Sequence, residues 1–151
     1  SNAKGFATID DAAAAMPDAI KLGESTWSGA RVGGVRVSNE VPNGAYENAY
    51  ALRVSFEFAS DAMDATAKSG SVLCAPECAV IRHKVKHDTA APFPCSLGDA
   101  LAAARSAGLE SKRPVVGYGY WNLDERTGWT FRADAKAEPI EIGPGCVAKG
   151  R

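Results

Sequence analysis

Between Tyr46 and Phe58 the chain alternates: Tyr46, Tyr50, Leu52, Val54, Phe56 and Phe58 share one parity, while Glu47, Arg53, Ser55 and Glu57 share the other. Successive side chains of a strand leave on opposite faces, so a period of two marks a strand with one face on a core and one in water. The apolar face is rich in aromatics. Each fully buried Leu, Val or Phe on it contributes up to about 1.5–3 kcal/mol. This strand is expected at the centre of the fold.

The flanking segments give the other elements. Thr8 precedes Ile9-Asp10-Asp11-Ala12 and can cap a helix, with Asp11 placed to reach back in a capping box. The alanine run continues to Met16, and Pro17 is expected to break or kink the helix. Residues 26–38 read as a strand carrying Val32, Val35 and Val37, whose parity swaps around Gly33-Gly34 and predicts a β-bulge. Pro42-Asn43-Gly44 reads as a turn, and 60–71 as a polar connection. A strand is predicted over 79–87, with Ile81 and Val85 opposite Arg82, Lys84 and Lys86. A linker over 88–95 follows. Ser96-Leu97-Gly98-Asp99 opens a second capped helix whose buried stripe is Leu97, Leu101, Ala104 and Gly108. Strands over 115–123, 129–133 and 138–142 complete the chain, the first two joined by the loop 124–128. The fold class is therefore α+β, an antiparallel sheet with two capped helices. Residues 8–87 and 96–147 read as two helix-plus-sheet repeats sharing one core within a single domain over 4–151.

Charge and hydropathy narrow the function classes. Of 151 residues, 17 are basic and 18 acidic, so the net charge of −1 gives no long-range attraction to nucleic acid or anionic membrane. Hydrophobic residues make up 46% and charged residues 23%, proportions of a packed globular chain. No apolar run approaches the roughly 20 residues that span a bilayer. Ser1-Asn2-Ala3 has the residues left by a cleaved purification tag, and a removed signal peptide or lipoprotein leader is expected ahead of Lys4.

An even number of cysteines in a small chain with a trimmed leader favours disulfides, and hence an extracytoplasmic location. Cys74, Cys78, Cys95 and Cys146 allow three pairings. The expected one joins Cys74 to Cys78 across Cys-Ala-Pro-Glu-Cys and Cys95 to Cys146, the latter closing a loop worth about 3–4 kcal/mol. Four reduced thiols in a cytosolic protein is the competing reading.

Three groups are candidate sites. Cys74, Cys78, His83 and His87 have spacings that occur in zinc sites. On a strand, however, His83 and His87 stand about 13 Å apart, too far to share an ion, so no metal or other cofactor is expected. Arg82, Lys84 and Lys86 form a basic strand face suited to an anion or acidic partner, or simply a solvated face whose lysines discourage edge pairing. Tyr118, Tyr120, Trp121 and Trp129 form an aromatic cluster. Since Tyr118 and Tyr120 face away from Trp121, one set lies on the less buried side of its strand and can supply a binding patch. The alternative is cross-strand pairing that stabilises the sheet. No Gly-x-Ser-x-Gly, His-Glu-x-x-His or phosphate-binding glycine loop occurs. Asp10/Asp11 and Asp124/Glu125 sit at a cap and a turn, where acids belong.

The second half, 96–147, resembles a PepSY-type domain. The likeness lies in an Ala-rich helix ending in glycine (99–108), a strand (115–123), an aromatic-bearing strand (128–133) and a terminal strand running into a glycine turn (138–145). Gly143-Pro144-Gly145-Cys146 stands where that family has an Asp-x-x-Thr-Gly turn. The resemblance implies an extracytoplasmic inhibitory or partner-binding module with no catalytic residues. The reading is thus a non-catalytic extracytoplasmic module that binds a protein or small ligand. Its rivals are a metal-handling protein built on His83, His87 and the cysteines, and a hydrolase or lyase assembled from distant residues.

Overall fold

The computed structural model of the chain describes residues 5–38, 49–58, 69–83, 95–112, 114–121, 126–134, 136–143 and 145–149. Among these residues two helices, α1 (Ile9–Thr26) and α2 (Leu97–Ser106), accompany seven strands: β1 (Ala30–Ser38), β2 (Ala51–Phe58), β3 (Ser69–Cys74), β4 (Cys78–His83), β5 (Val115–Trp121), β6 (Arg126–Arg132) and β7 (Ile140–Ile142). The strands form one antiparallel sheet in the order β4-β3-β2-β1-β5-β6-β7.

Both helices begin where hydroxyl caps stand. The Asp11 amide donates to Thr8 Oγ1 at 3.1 Å and the Asp99 amide to Ser96 Oγ at 3.1 Å, each satisfying a donor that the first turn leaves without a helical partner. The buried positions of α1, Ile9, Ala12, Met16, Ala19 and Gly23, recur every three or four residues and form one stripe. Pro17 does not end this helix, contrary to the expectation from its ring. It removes only the bond to the Ala13 carbonyl, and it lies on the exposed side of α1, outside that stripe. In α2 the buried residues are Leu97, Ala100, Leu101 and Ala104. Gly108 is exposed rather than part of the stripe. At φ 110° it takes the left-handed turn that ends the helix. The Leu109 amide donates to Ala104 O and that of Gly108 to Arg105 O, a Schellman closure with Leu109 buried behind it.

The strand predicted from alternation is β2, with Leu52, Val54 and Phe56 fully buried. The predicted bulge falls in β1, where pairing with β2 shifts between Val32 and Gly34. The extra residue lets Val32, Val35 and Val37 all reach the core despite unequal parity. β3, however, arises from part of the segment read as a polar connection: Gly70, Val72 and Cys74 are all buried along one face. Gly70 is needed there, because a Cβ would lie 2.4 Å from the Trp27 indole. β4 ends at His83, and the predicted continuation to 87 lies outside the described residues.

Cross-strand register aligns the core in rows. Cys78, Cys74, Leu52, Val37, Val116, Phe131 and Ile140 follow one another across all seven strands. Beside them run Val80, Val72, Val54, Val35, the Tyr118 position, Trp129 and Ile142. Both helices pack on this face: Trp27, just beyond α1, meets Phe56 at 5.8 Å between ring centroids, and Trp129 Nε1 donates to Cys95 O beside α2 at 2.9 Å. The helices also touch each other, through a bidentate pair between Arg105 and Asp10 at 2.7 and 2.8 Å.

Candidate functional site

With both helices on one face, the intervening residues of every strand point to the other. That second face carries a row of Ala79, Leu73, Arg53, Arg36, the Gly117 position, Thr130 and Glu141. Next to it runs a row of Ile81, Ser71, Ser55, Gly34 and the Gly119 position. Arg36 on β1 and Arg53 on β2 are direct register partners, and both are exposed. Directly opposed residues stand about 5 Å apart at Cα, and like charges so placed repel. No acidic residue stands beside either arginine in the register. Arg36 is flanked by Ser38 and Gly34 along β1 and by Gly117 across on β5, and Arg53 by Ala51 and Ser55 along β2 and by Leu73 across on β3. Glu141, on the same row, is three strands from Arg36. The hydroxyls of Ser55 and Ser71 approach to 3.5 Å beside the pair, and Ser71 is buried, with 2% exposure. The two exposed guanidiniums present several N–H donors and, among the described residues, have serines and glycines and no carboxylate as register neighbours, a setting that suits an oxyanion.

A second feature is a cleft of about 570 Å³ between the helices, lined by Ala13, Met16, Pro17 and Ile20 of α1 and by Cys95, Ser96 and Gly98 at the start of α2. Its walls are mostly apolar.

The residues singled out from the sequence do not assemble into one patch. Trp129 is a core residue with 1% exposure, so it is removed from the predicted aromatic surface. It is held there because β6 presents it to the helix-covered side, where its indole N–H meets Cys95 O. Tyr118 pairs with it in register, and Tyr120 and Trp121 pair with Thr127 and Arg126; the side chains of these three lie outside the described residues. Arg82 is exposed, as expected. It shares its row with Gly70 on the helix-covered side, and its guanidinium lies 5.9 Å from the Trp27 ring centroid, a cation–π contact at the rim of the core. Ile81 takes the opposite face, as its parity predicts. Lys84, Lys86 and His87 lie outside the described residues, as does the side chain of His83.

All four cysteines are in disulfides, Cys74–Cys78 and Cys95–Cys146, the pairing expected from the sequence. None is therefore left as a thiolate ligand, which removes the sulfur half of the metal-handling alternative. Among the described residues no group of three or more His, Cys, Asp or Glu side chains is placed to hold a metal ion. No helix among them is long and apolar enough to cross a membrane.

Arg36 and Arg53 went unmarked in the sequence because each is only a polar-parity residue of its own strand. The signal that brings them together is register, which no local pattern carries. Comparison of the chain with protein-family profiles, curated proteins and solved structures found no match.

Proposed function

We propose that this chain is a non-catalytic extracytoplasmic binding module that engages its partner through the face of the sheet opposite the helices. The observation that carries this reading is one-sided coverage among the described residues: both helices and both apolar rows lie on one face, while the other offers exposed Arg36 and Arg53. A sheet with a single buried face is stable without a second layer, which leaves its other face for recognition. The two disulfides support an oxidising compartment. The resemblance of residues 96–147 to a PepSY-type domain, read from the sequence, agrees with a module of this kind.

Two experiments test this. Photo-crosslinkers placed at Ala79 and Thr130 on the second face, and at Ala102 and Glu110 on the helix side, would be activated in intact source cells. A discrete adduct from the first pair alone is the expected result, and adducts from the helix side alone would sink the reading. Trapping thiols with a membrane-permeant alkylating agent before lysis should leave all four cysteines unlabelled. Four labelled thiols would overturn the location.

A further inference from the structure

We propose that Arg36 and Arg53 form a clamp for carboxylate side chains of an acidic, extended peptide segment of the partner. This inference rests on the binding-module reading and specifies its ligand. The two guanidiniums are held as register partners on neighbouring strands, both exposed and, among the described residues, with no acid as a register neighbour. Such an arrangement costs folding free energy through like-charge opposition. It becomes favourable when a carboxylate sits between the two forks, since guanidinium and carboxylate match in planar, bidentate geometry.

The surroundings decide which oxyanion bearer fits. Gly34 on β1 and the Gly117 and Gly119 positions on β5 put no side chain on the sheet beside Arg36, so a main chain can come down close to the strands there. Ser38 and Ser55 flank the arginines on their own strands, and half-buried Leu73 and exposed Val115 add apolar contact at the margins. This is a narrow strip with a two-cation centre, matched to one or two acidic side chains on an extended chain. A nucleic acid or an anionic membrane calls for a broad basic surface, whereas the whole chain carries a net charge of −1.

The test uses the intact oxidised chain and a fluorescent peptide of alternating glutamate and serine, with its glutamine counterpart as control, followed by anisotropy at about 0.1 M salt. The glutamate peptide should bind and the glutamine peptide should not. R36Q/R53Q should weaken binding about tenfold or more, and R36K/R53K should restore only part of it, since a lysine has no fork. The melting temperature of R36Q/R53Q should equal or exceed that of the parent, because the substitution relieves repulsion. A lower one would mean that the arginines serve the fold, and would overturn the assignment. Equal binding of both peptides, no binding of either, or glutamate binding unchanged in R36Q/R53Q would each overturn it too, as would binding of phosphatidylglycerol vesicles or inorganic phosphate in place of the peptide. The two levels fail separately. Crosslinks from Ala79 and Thr130 without glutamate-peptide binding end the clamp and leave the binding module standing, whereas crosslinks from the helix side alone end both.

Discussion

Gly23 lies on the buried stripe of α1, and a Cβ built on it would fall 2.1 Å from Phe56 Cζ. Helix propensity favours alanine over glycine by about 1 kcal/mol, but forcing a methyl into a packed core costs about 1–3 kcal/mol. Gly23→Ala is therefore expected to destabilise the protein by about 1 kcal/mol net, read by denaturant unfolding. Phe56→Leu should cost less in that background than alone, a coupling of 0.5 kcal/mol or more on the order of those seen between touching residues. An unchanged or raised midpoint for Gly23→Ala would contradict the packing. At the surface, the Arg105 hydrogen bond, followed by a smaller effect of its charge, holds the Asp10 carboxyl below the usual aspartate range despite partial desolvation. A depressed folded-state pKa adds stability that is present above the unfolded pKa and lost as pH falls through the folded one. Both side chains are about half exposed, at 45% and 58%, so the pair contributes at most about 1 kcal/mol. Asp10→Asn should thus lower stability slightly at pH 7, with the difference from the parent fading as pH falls through the lowered folded-state pKa. A difference that persists undiminished at acid pH would exclude the ion pair as its cause.

The two disulfides hold elements of different reach. Cys74 and Cys78 are register partners at the turn end of the β3–β4 hairpin, four residues apart. Cys95 and Cys146 join the residue before the α2 cap to the turn after β7, 51 residues apart. By loop-closure entropy the long bridge stabilises by about 4 kcal/mol and the short one by about 2 kcal/mol. Cys95→Ala with Cys146→Ala should accordingly cost roughly twice as much as Cys74→Ala with Cys78→Ala, measured by guanidinium unfolding, and a reversed ranking would show that native-state packing outweighs chain entropy. The long bridge also fixes the carbonyl that receives the Trp129 indole N–H. Trp129→Phe, which leaves that buried acceptor without its donor, should cost about 1–3 kcal/mol. Legibility differs among elements for physical reasons. β2 was plain because its alternation runs through large side chains, and α1 and α2 were plain because their caps are local. β3 was hidden because two of its three core-side residues, Gly70 and Cys74, are small, and Gly70 is small for the sake of Trp27, an indole far away in the chain.

Across the molecule, β1 and β5 pair antiparallel at the middle of the sheet, and each half then winds outward from its own first strand, β1-β2-β3-β4 one way and β5-β6-β7 the other. After β7 the chain returns to make an isolated bridge between Ile142 and Ala148, so each half ends in a short return whose turn carries cysteine. Because the buried rows cross the β1–β5 seam through Val35, Val37 and Val116, neither half buries its apolar face alone. The intact chain is expected to unfold in one transition, with far- and near-ultraviolet signals coincident, and residues 95–151 alone should lack a cooperative transition. Two separated transitions would divide the core.

The sequence by itself determined what depends on neighbours along the chain: the parity of β2, the bulge in β1 and the two hydroxyl caps; among the pairings of four cysteines it favoured the one that the fold brings together. It could not determine which side of each strand the helices would cover, and so could not place Arg82 beside Trp27 at the rim of the core. Nor could it set Arg36 opposite Arg53. Periods of two and 3.6 are local properties of the backbone. Register and coverage come from burying the apolar rows of all seven strands at once, and only the folded sheet decides them.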